Sequence, residues 1–210
     1  MPAVHTIVTG EWRENCYVLR GDGRHAVVID PGEDTDAIVD YLEKESLAVV
    51  AIINTHAHYD HVGSVADIRA RHNAPFHLHA GDHRLLKQVN FYRVLFGGKR
   101  TIAIPDVDVD LCACPTLTFG GLTIEVIHTP GHTPGSVSFL TEGCLFSGDT
   151  LFGSRVGRTD LPGGDKAALG ASVQRLLQLP PETVVFPGHG ARASLAEILS
   201  ANREAAELLR

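Results

Sequence analysis

The strongest constraint on this chain is the stretch THAHYDHVG at residues 55–63, which directly follows the apolar run VVAIIN. An apolar β-branched run followed by polar residues and a glycine predicts a buried strand, a loop and then a helix over 61–72. In such a loop, the side chains of residues 56 and 58 can face one point, while those of residues 60 and 61 turn toward a second point. The segment therefore predicts ligands for two metal ions from four side chains: His56, His58, Asp60 and His61.

Two other interpretations of this stretch were weighed. It could be a histidine-rich surface loop, or a helix start in which Asp60 is the N-cap. Capping needs one aspartate and no histidine, so metal binding is the preferred interpretation.

Composition and charge limit the class of protein. With 210 residues, 44% hydrophobic and 20% charged, the chain is expected to form one globular domain over 1–210 with a sizeable core. A net charge of −7 disfavours nucleic acid as a partner, and no apolar run is long enough for a membrane span.

The first residues and the cysteines of the sequence bear on the cellular compartment. The start, MPAVHTIVTGEW, lacks a basic region followed by an apolar one, so we expect no signal peptide. Four scattered cysteines without C-x-x-C spacing indicate reduced thiols in a cytoplasmic protein, although Cys112 and Cys114 could instead form a redox or metal pair. Monomer and homodimer are both compatible with the sequence.

The order of predicted elements indicates a layered α/β protein. Helices are expected after a cap at Asp34 or Thr35 as far as Ser46, and over 61–72, 81–96, 165–178 and 193–209, with a long loop at 97–116. Strands are expected at 3–8, 15–20, 26–30, 48–53, 75–79, 117–119, 122–129, 136–141, 144–149 and 184–187. Strands with crossing helices, then hairpins, then helix and strand again predict a four-layer αβ/βα sandwich.

Three later segments share one pattern, in which a strand ends in a glycine-containing loop with a metal-capable side chain. TPGHTPGS presents His132, FSGDT presents Asp149 and FPGHG presents His189. A glycine before each side chain permits a close backbone approach or a positive φ. Each segment alone is a modest signal, but jointly with the first loop they supply five histidines and two aspartates.

In these residues the chain resembles the metallo-β-lactamase-fold hydrolase superfamily, and more closely its short, single-domain glyoxalase II-like members. The resemblance implies a fold of two sheets flanked by helices. It also implies that His56, His58 and His132 hold one metal and that Asp60, His61 and His189 hold the other, with Asp149 bridging both.

The donor set suits two divalent ions per chain, most simply Zn, with Fe or Mn also compatible. A water between two such ions loses a proton near neutral pH, and the bridging hydroxide can then attack an ester or thioester carbonyl. Asp60 could orient that hydroxide or carry a proton. We expect a small-molecule thioester or ester substrate, with S-lactoylglutathione as the first candidate.

The segment RVGRTDLPGGD at 155–165 is expected to border the cleft. Arg158 matches the family's basic glutathione-contacting position, but Arg155 and Arg158 could equally form salt bridges with Asp160 or Asp165. Glyoxalase II has a tyrosine where Asp160 stands and another where Ala191 stands. Its helical C-terminal extension is largely absent here, which puts the glutathione thioester in doubt.

Three alternatives remain. A persulfide dioxygenase of the same superfamily would hold a single iron through two histidines and an aspartate, and Gly188 and Gly190 around His189 argue against that branch. A non-enzymatic member is disfavoured by the complete ligand set. A β-lactamase is disfavoured by the absence of a thiolate ligand and by Asp60 beside His61.

Overall fold

Two six-stranded sheets form the centre of the molecule. The structure is a computed structural model that describes residues 2–98 and 101–208. The first sheet has the strand order β1-β2-β3-β4-β5-β6, with bounds Ala3–Thr9, Glu14–Arg20, His25–Ile29, Ala48–Ile53, Phe76–Leu78 and Val109–Asp110. The second has the order β12-β11-β10-β9-β8-β7; from β7 to β12 the bounds are Thr116–Phe119, Leu122–His128, Val137–Thr141, Cys144–Gly148, Val184–Pro187 and Ala193–Ser194.

Helices cover the outer face of each sheet. Five follow the strands of the first sheet: α1 Thr35–Lys44, α2 Tyr59–Val62, α3 Val65–His72, α4 His83–Lys87 and α5 Val89–Leu95. Three accompany the second: α6 Lys166–Leu176, α7 Leu195–Ala201 and α8 Arg203–Glu207. Short 3-10 helices lie at Ala80–Asp82 and Leu111–Ala113.

Alternation of apolar side chains along the strands produces three separate apolar layers. In β3, Ala26 and Val28 pack with the helices of the first sheet, whereas Val27 and Ile29 face the second sheet. The outer face of the second sheet packs on α6, α7 and α8. Because successive strand residues point to opposite faces, three apolar layers require four layers of structure. The predicted αβ/βα sandwich is confirmed.

The candidate ligands meet because the strands that precede them end at the same edge. β3 and β4 run parallel in the first sheet, and β10 and β11 run parallel in the second, while β8 is antiparallel to β9 and therefore parallel to β10. The loops after β4, β8, β10 and β11 thus converge at one edge of the sandwich, where α/β sheets commonly place functional groups.

Polar contacts from β2 join the two sheets at this edge. Asn15 donates its backbone N–H to the Gly188 carbonyl (2.8 Å) and its side-chain amide to the Pro187 carbonyl (3.0 Å). The hydroxyl of Tyr17 donates to that same carbonyl (2.6 Å). These buried hydrogen bonds hold the loop after β11 against the first sheet.

Two predicted helices are interrupted. The helix expected over 61–72 consists of α2 and α3, with a break at Gly63 and Ser64, where the Ser64 backbone N–H donates to the Pro31 carbonyl (3.0 Å). The helix expected over 81–96 consists of a 3-10 turn, α4 and α5, with Gln88 between the last two. The first break follows from a tertiary contact that local spacing does not encode.

Several smaller expectations were wrong. Asp34 occupies the N-cap position of α1 but makes no side-chain bond to it, and instead accepts from the Gly10 N–H (2.9 Å). The alternative that Asp60 is an N-cap, which the sequence disfavours, is also excluded, because α2 begins at Tyr59. Part of the expected loop at 97–116 is ordered as β6 and a 3-10 turn, while residues 99 and 100 lie outside the described residues.

The other predicted elements are present with bounds that differ by one or two residues, except the last. The helix expected over 193–209 begins as β12 and continues as α7 and α8, with Asn202 between them. Residue 209 lies outside the described residues. Over residues 2–98 and 101–208, no helix is long and apolar enough to cross a membrane. The single domain and the cytoplasmic location stay predictions.

Gly131, directly before His132, provides a test of how the ligand loop is held. Its φ is +135°, and an added Cβ would overlap the backbone of Leu169 in α6. We expect Gly131→Ala to lower the free energy of unfolding by about 2–4 kcal/mol, as measured by urea denaturation. Gly23→Ala is the control, since Gly23 has φ +63° but open space around it; its cost should be about 1 kcal/mol. Equal effects would contradict the close packing of α6 on this loop.

Candidate metal centre

The imidazoles of His56, His58 and His132 lie close together and form a set of candidate ligands that we call the first group. His56 follows β4, His58 precedes α2, and His132 lies in the loop between β8 and β9. Their nitrogen atoms lie within 4.8 Å of one another. The Nδ1 of His58 is 3.0 Å from His56 Nε2 and 2.9 Å from His132 Nε2.

A carboxylate and two imidazoles form the second group. Asp60 and His61 lie on α2 and His189 follows β11, and their donor atoms also lie within 4.8 Å of one another. The Oδ2 of Asp60 is 3.4 Å from His189 Nε2 and 3.9 Å from His61 Nε2. The segment that follows β4 therefore supplies side chains to both groups, as the spacing of its residues predicts.

Asp149 lies between the two groups. It directly follows β10, after Gly148 with φ +49°. One oxygen, Oδ1, is 3.6 Å from His61 Nε2, and the other, Oδ2, is 3.6 Å from His132 Nε2 and 3.7 Å from His189 Nε2. This is the position that a carboxylate shared between two ions would need.

Hydrogen bonds fix the tautomer of four of the five histidines. The Nδ1–H groups of His132 and His189 donate to the carbonyls of Arg158 (2.8 Å) and Trp12 (3.0 Å). That of His61 donates to the Asp30 carboxylate (3.1 Å). Thr55 donates its hydroxyl to Asp30 (2.6 Å), so its oxygen is left to accept from His56 Nδ1 (3.0 Å). The tautomers inferred from these bonds leave every Nε2 with a free lone pair.

The converging lone pairs fit a cation and do not fit ordinary hydrogen bonding. His58 Nδ1 carries at most one proton, so it can donate in only one of its two short contacts with acceptor nitrogens. Within the described part of the chain, His61 Nε2 and Asp149 Oδ1 are buried without a hydrogen-bond partner. Buried polar atoms left in this way are costly, and a divalent ion in each group would satisfy them.

Asp30 and Thr55 support the centre, although no sequence pattern pointed to them. Asp30, which follows β3 with φ +48°, accepts from the Thr55 N–H (2.7 Å), the Thr55 hydroxyl and His61 Nδ1. Donor atoms of Asp30, His56 and His61 also lie within 4.8 Å of one another. Since the Asp30 oxygens already accept these donors, we regard Asp30 as a positioning residue and not as a third ligand set.

Asp82 is a second buried support that sequence patterns missed. Its carboxylate accepts from the backbone N–H of Ala57 (2.9 Å), the Thr133 hydroxyl (2.8 Å) and the backbone N–H of Gly135 (2.7 Å). Ala57 lies between His56 and His58, and Thr133 follows His132. One carboxylate therefore holds together the two loops that supply the first group.

Burial and charge lower the pKa values of His56 and His58 but raise those of His61 and His189. Burial, with the neighbouring histidines, lowers the pKa of His56 and lowers that of His58 to about 3. Burial also opposes the charged form of His61, but Asp60, Asp30 and Asp149 outweigh it and raise the pKa. The pKa of His189 is raised for the same reason by Asp60 and Asp149.

A cleft of about 270 Å³ opens over both groups. Asp60, Asp149 and three of the histidines form its floor. One side, which we call the aromatic wall, consists of Trp12, Tyr59, Tyr92 and Phe96, and two arginines line the cleft as well, Arg155 and Arg158.

The salt bridge considered for Arg158 is present. Its guanidinium pairs with Asp160 through two contacts of 2.7 Å. A direct substrate contact by Arg158 stays a prediction. Its backbone carbonyl, however, has a defined role, since it accepts from His132.

One family model and several known proteins match this chain over most of its length. The family model described as Metallo-beta-lactamase superfamily matches residues 9–189. The probable metallo-hydrolase YqgX of Bacillus subtilis (strain 168) is 35% identical over 186 residues, covering 86% of this chain and 87% of YqgX. The hydroxyacylglutathione hydrolase GloC of Haemophilus influenzae is 28% identical over 204 residues, covering 92% and 93%.

Two solved structures are similar over nearly their full length. BLEG-1, described as a B3 metallo-beta-lactamase, superimposes with a TM-score of 0.91 at 38% identity, covering 97% of this chain and 99% of its own. TTHA1623 in a di-iron-bound form gives a TM-score of 0.87 at 38% identity, covering 96% and 100%.

Thr55→Val tests the support of the first group. The substitution keeps the shape of the side chain but removes the acceptor for His56 Nδ1–H, so the tautomer is no longer fixed. We expect metal affinity to fall by about 10–100-fold, measured by competition with a chelator. Thr141→Val is the control, because the Thr141 hydroxyl in β9 is buried without a partner among the described residues. Unchanged affinity in Thr55→Val would contradict the supporting role.

Acidification should remove the two ions in a defined order. A cation must displace a proton from a histidine at any pH below that histidine's pKa. The raised pKa values of His61 and His189 therefore weaken the second group first as pH falls, while His56 and His58, with lowered pKa values, remain deprotonated.

The order can be measured as metal content per chain after dialysis over a pH series. His189→Ala leaves the first group intact, and His58→Ala leaves the second intact. We expect the ion kept by His189→Ala to persist to lower pH than the ion kept by His58→Ala. Loss at the same pH, or in the reverse order, would contradict the assignment.

Proposed function

Since the chain belongs to the metallo-beta-lactamase superfamily, we propose that it is a dinuclear metal-dependent hydrolase of small thioesters. S-lactoylglutathione is the first substrate to test. One observation carries the proposal: two groups of histidine and carboxylate donor atoms converge beneath a single cleft, with Asp149 between them.

Each side chain has a distinct part in this proposal. The first and second groups would each hold one ion, and Asp149 would contact both. When bound, such ions activate water for attack and polarise the substrate carbonyl. The ligand set contains no thiolate, so Zn, Fe and Mn are all compatible; we propose Zn, although the similar protein TTHA1623 is described in a di-iron-bound form.

Asp60 acts in the charged state. Burial alone would raise its pKa, but His61, His189 and His58 outweigh burial and hold the pKa well below its usual range. At neutral pH Asp60 is therefore an acceptor, which suits a ligand and an orienting group for the attacking water and does not suit a proton donor. A reaction whose leaving group needs no protonation is consistent with this state.

Thioesters meet that requirement, because a thiolate leaves without a proton more readily than an amine or an alkoxide. The similarity to GloC, named as a hydroxyacylglutathione hydrolase, supports the same substrate class. The cleft also contains no cysteine, serine or threonine among its described lining residues, which is consistent with water as the attacking group in this proposal.

A second candidate is the hydrolysis of β-lactams. The 38% identity with BLEG-1, described as a B3 metallo-beta-lactamase, favours it. Ring opening of a β-lactam releases an amine that must be protonated, and this is the step for which charged Asp60 is poorly suited. The mono-iron persulfide dioxygenase would leave one of the two donor groups without an ion.

The experiment combines elemental analysis with a substrate panel of thioesters, esters and β-lactams. We expect two ions per chain and the highest kcat/KM for thioesters. His58→Ala should lower kcat by at least about 100-fold while the chain stays folded by circular dichroism. His72→Ala, at the end of α3 and outside both groups, should retain activity.

The outcomes separate the candidates. One iron per chain with oxygen uptake would replace the hydrolase with the dioxygenase. Preference for β-lactams would replace the thioester proposal, and full turnover in His58→Ala would refute the assignment of the centre.

A further inference from the structure

The two arginines of the cleft differ in their charge environment. Arg158 is neutralised by Asp160 through a bidentate salt bridge. Arg155 has no carboxylate within 4.0 Å among the described residues, although it lines the same cleft. An arginine with a free guanidinium is the stronger site for an anion, since it does not first have to leave another carboxylate.

Contact with a buried ring holds Arg155 in place. Its guanidinium carbon lies 3.9 Å from the centroid of the Phe152 ring, and Phe152 is 4% exposed. Stacking on an aromatic face leaves the edge of the guanidinium and its N–H donors available. Because the side chain is already ordered, binding an anion costs less conformational entropy than at a free surface arginine.

The aromatic wall provides the complementary apolar surface. Trp12 is 53% exposed and Phe96 40% exposed, although both are large and apolar, and Tyr59 stacks on Phe96 with centroids 6.4 Å apart. Exposed aromatic rings that line a concave cleft indicate a ligand with an apolar part. The wall and Arg155 therefore select two different parts of one small molecule.

We propose that Arg155, and not Arg158, binds the anionic group of the substrate, while the aromatic wall holds an apolar group of the same molecule. This inference rests on the proposed function and narrows it to thioesters that carry both an aliphatic or aromatic group and an anion such as a carboxylate. Neutralised Arg158 contributes through its backbone carbonyl, which orients His132.

Binding can be measured without turnover, because Trp12 is the single tryptophan of the chain and belongs to the wall. The probes are 2-naphthalenesulfonate and the uncharged 2-naphthyl methyl sulfone, added to the metal-loaded protein while Trp12 emission is recorded. A sulfonate is a poor zinc ligand, so it reports the arginine and not the ions. We expect the sulfonate to bind about fivefold to tenfold more tightly than the sulfone.

Three variants test whether Arg155 causes the tighter binding of the sulfonate. Arg155→Met should abolish it, and Arg155→Lys, which keeps the charge, should retain part of it. Arg71→Met is the matched control, since Arg71 lies on α3, pairs with Glu43 at 3.8 Å and does not line the cleft; the preference should persist there. A preference that survives in Arg155→Met would overturn the proposal, as would binding that leaves Trp12 emission unchanged.

A double variant tests why Arg158 is not used. In the Arg155→Met background, Asp160→Asn removes the carboxylate that neutralises Arg158. We expect part of the sulfonate preference to return. If none returns, the salt bridge is not what prevents Arg158 from binding the anion, and the explanation fails.

Turnover separates this inference from the proposed function. The substrates are two thioesters with the same acyl group, whose thiol part ends in a carboxylate or in the corresponding carboxamide. If both thioesters are hydrolysed and the preference for the carboxylate persists in Arg155→Met, the inference about Arg155 is refuted, whereas the proposed hydrolase function stands. Hydrolysis of neither, with the expected sulfonate binding, would refute the hydrolase and keep the anion site.

Discussion

The Asp30 carboxylate is the contact on which the two halves of the centre depend. It lies at the end of β3, accepts His61 directly and reaches His56 through the Thr55 hydroxyl. One buried acceptor thus sets the direction of a ligand in each group. Neutral imidazoles whose Nδ1 protons are occupied on one side present only lone pairs on the other, and this favours cation binding in both candidate groups. His58 and Asp60 come from the same segment as His56 and His61, and loops of the second sheet add His132, Asp149 and His189.

The convergence of the candidate ligands was predictable because these residues are concentrated in short sequence motifs. His56, His58, Asp60 and His61 lie within six positions, and glycine-containing loops after strands mark His132, Asp149 and His189. The order of strands and helices also predicted the layers. Asp30 and Asp82 were not predictable, since each is a single aspartate in a loop and its role arises only from partners that are distant in sequence. The break in the helix over 61–72 has the same origin: a Cβ at Gly63 would lie 2.8 Å from the Gly32 carbonyl oxygen.

The cleft shows where local reasoning about charge is insufficient. Arg155 and Arg158 lie three positions apart in the sequence, and either could pair with Asp160 or Asp165. In the fold, Asp160 pairs with Arg158, whereas Asp165 caps α6 by accepting from Ala167 and Ala168. Which arginine remains free is decided by these two contacts. Trp12 was likewise unremarkable as part of a turn between β1 and β2, yet its ring faces the cleft.

Two residues of the cleft touch the centre only through their main chain. Trp12 and Arg158 each offer a carbonyl to a histidine, while their side chains face the ligand space. A main-chain oxygen is the same whatever residue carries it. Mutations at these two positions can therefore change the lining of the cleft while both histidines keep their main-chain acceptors, which gives the scaffold an evolutionary route to new ligands.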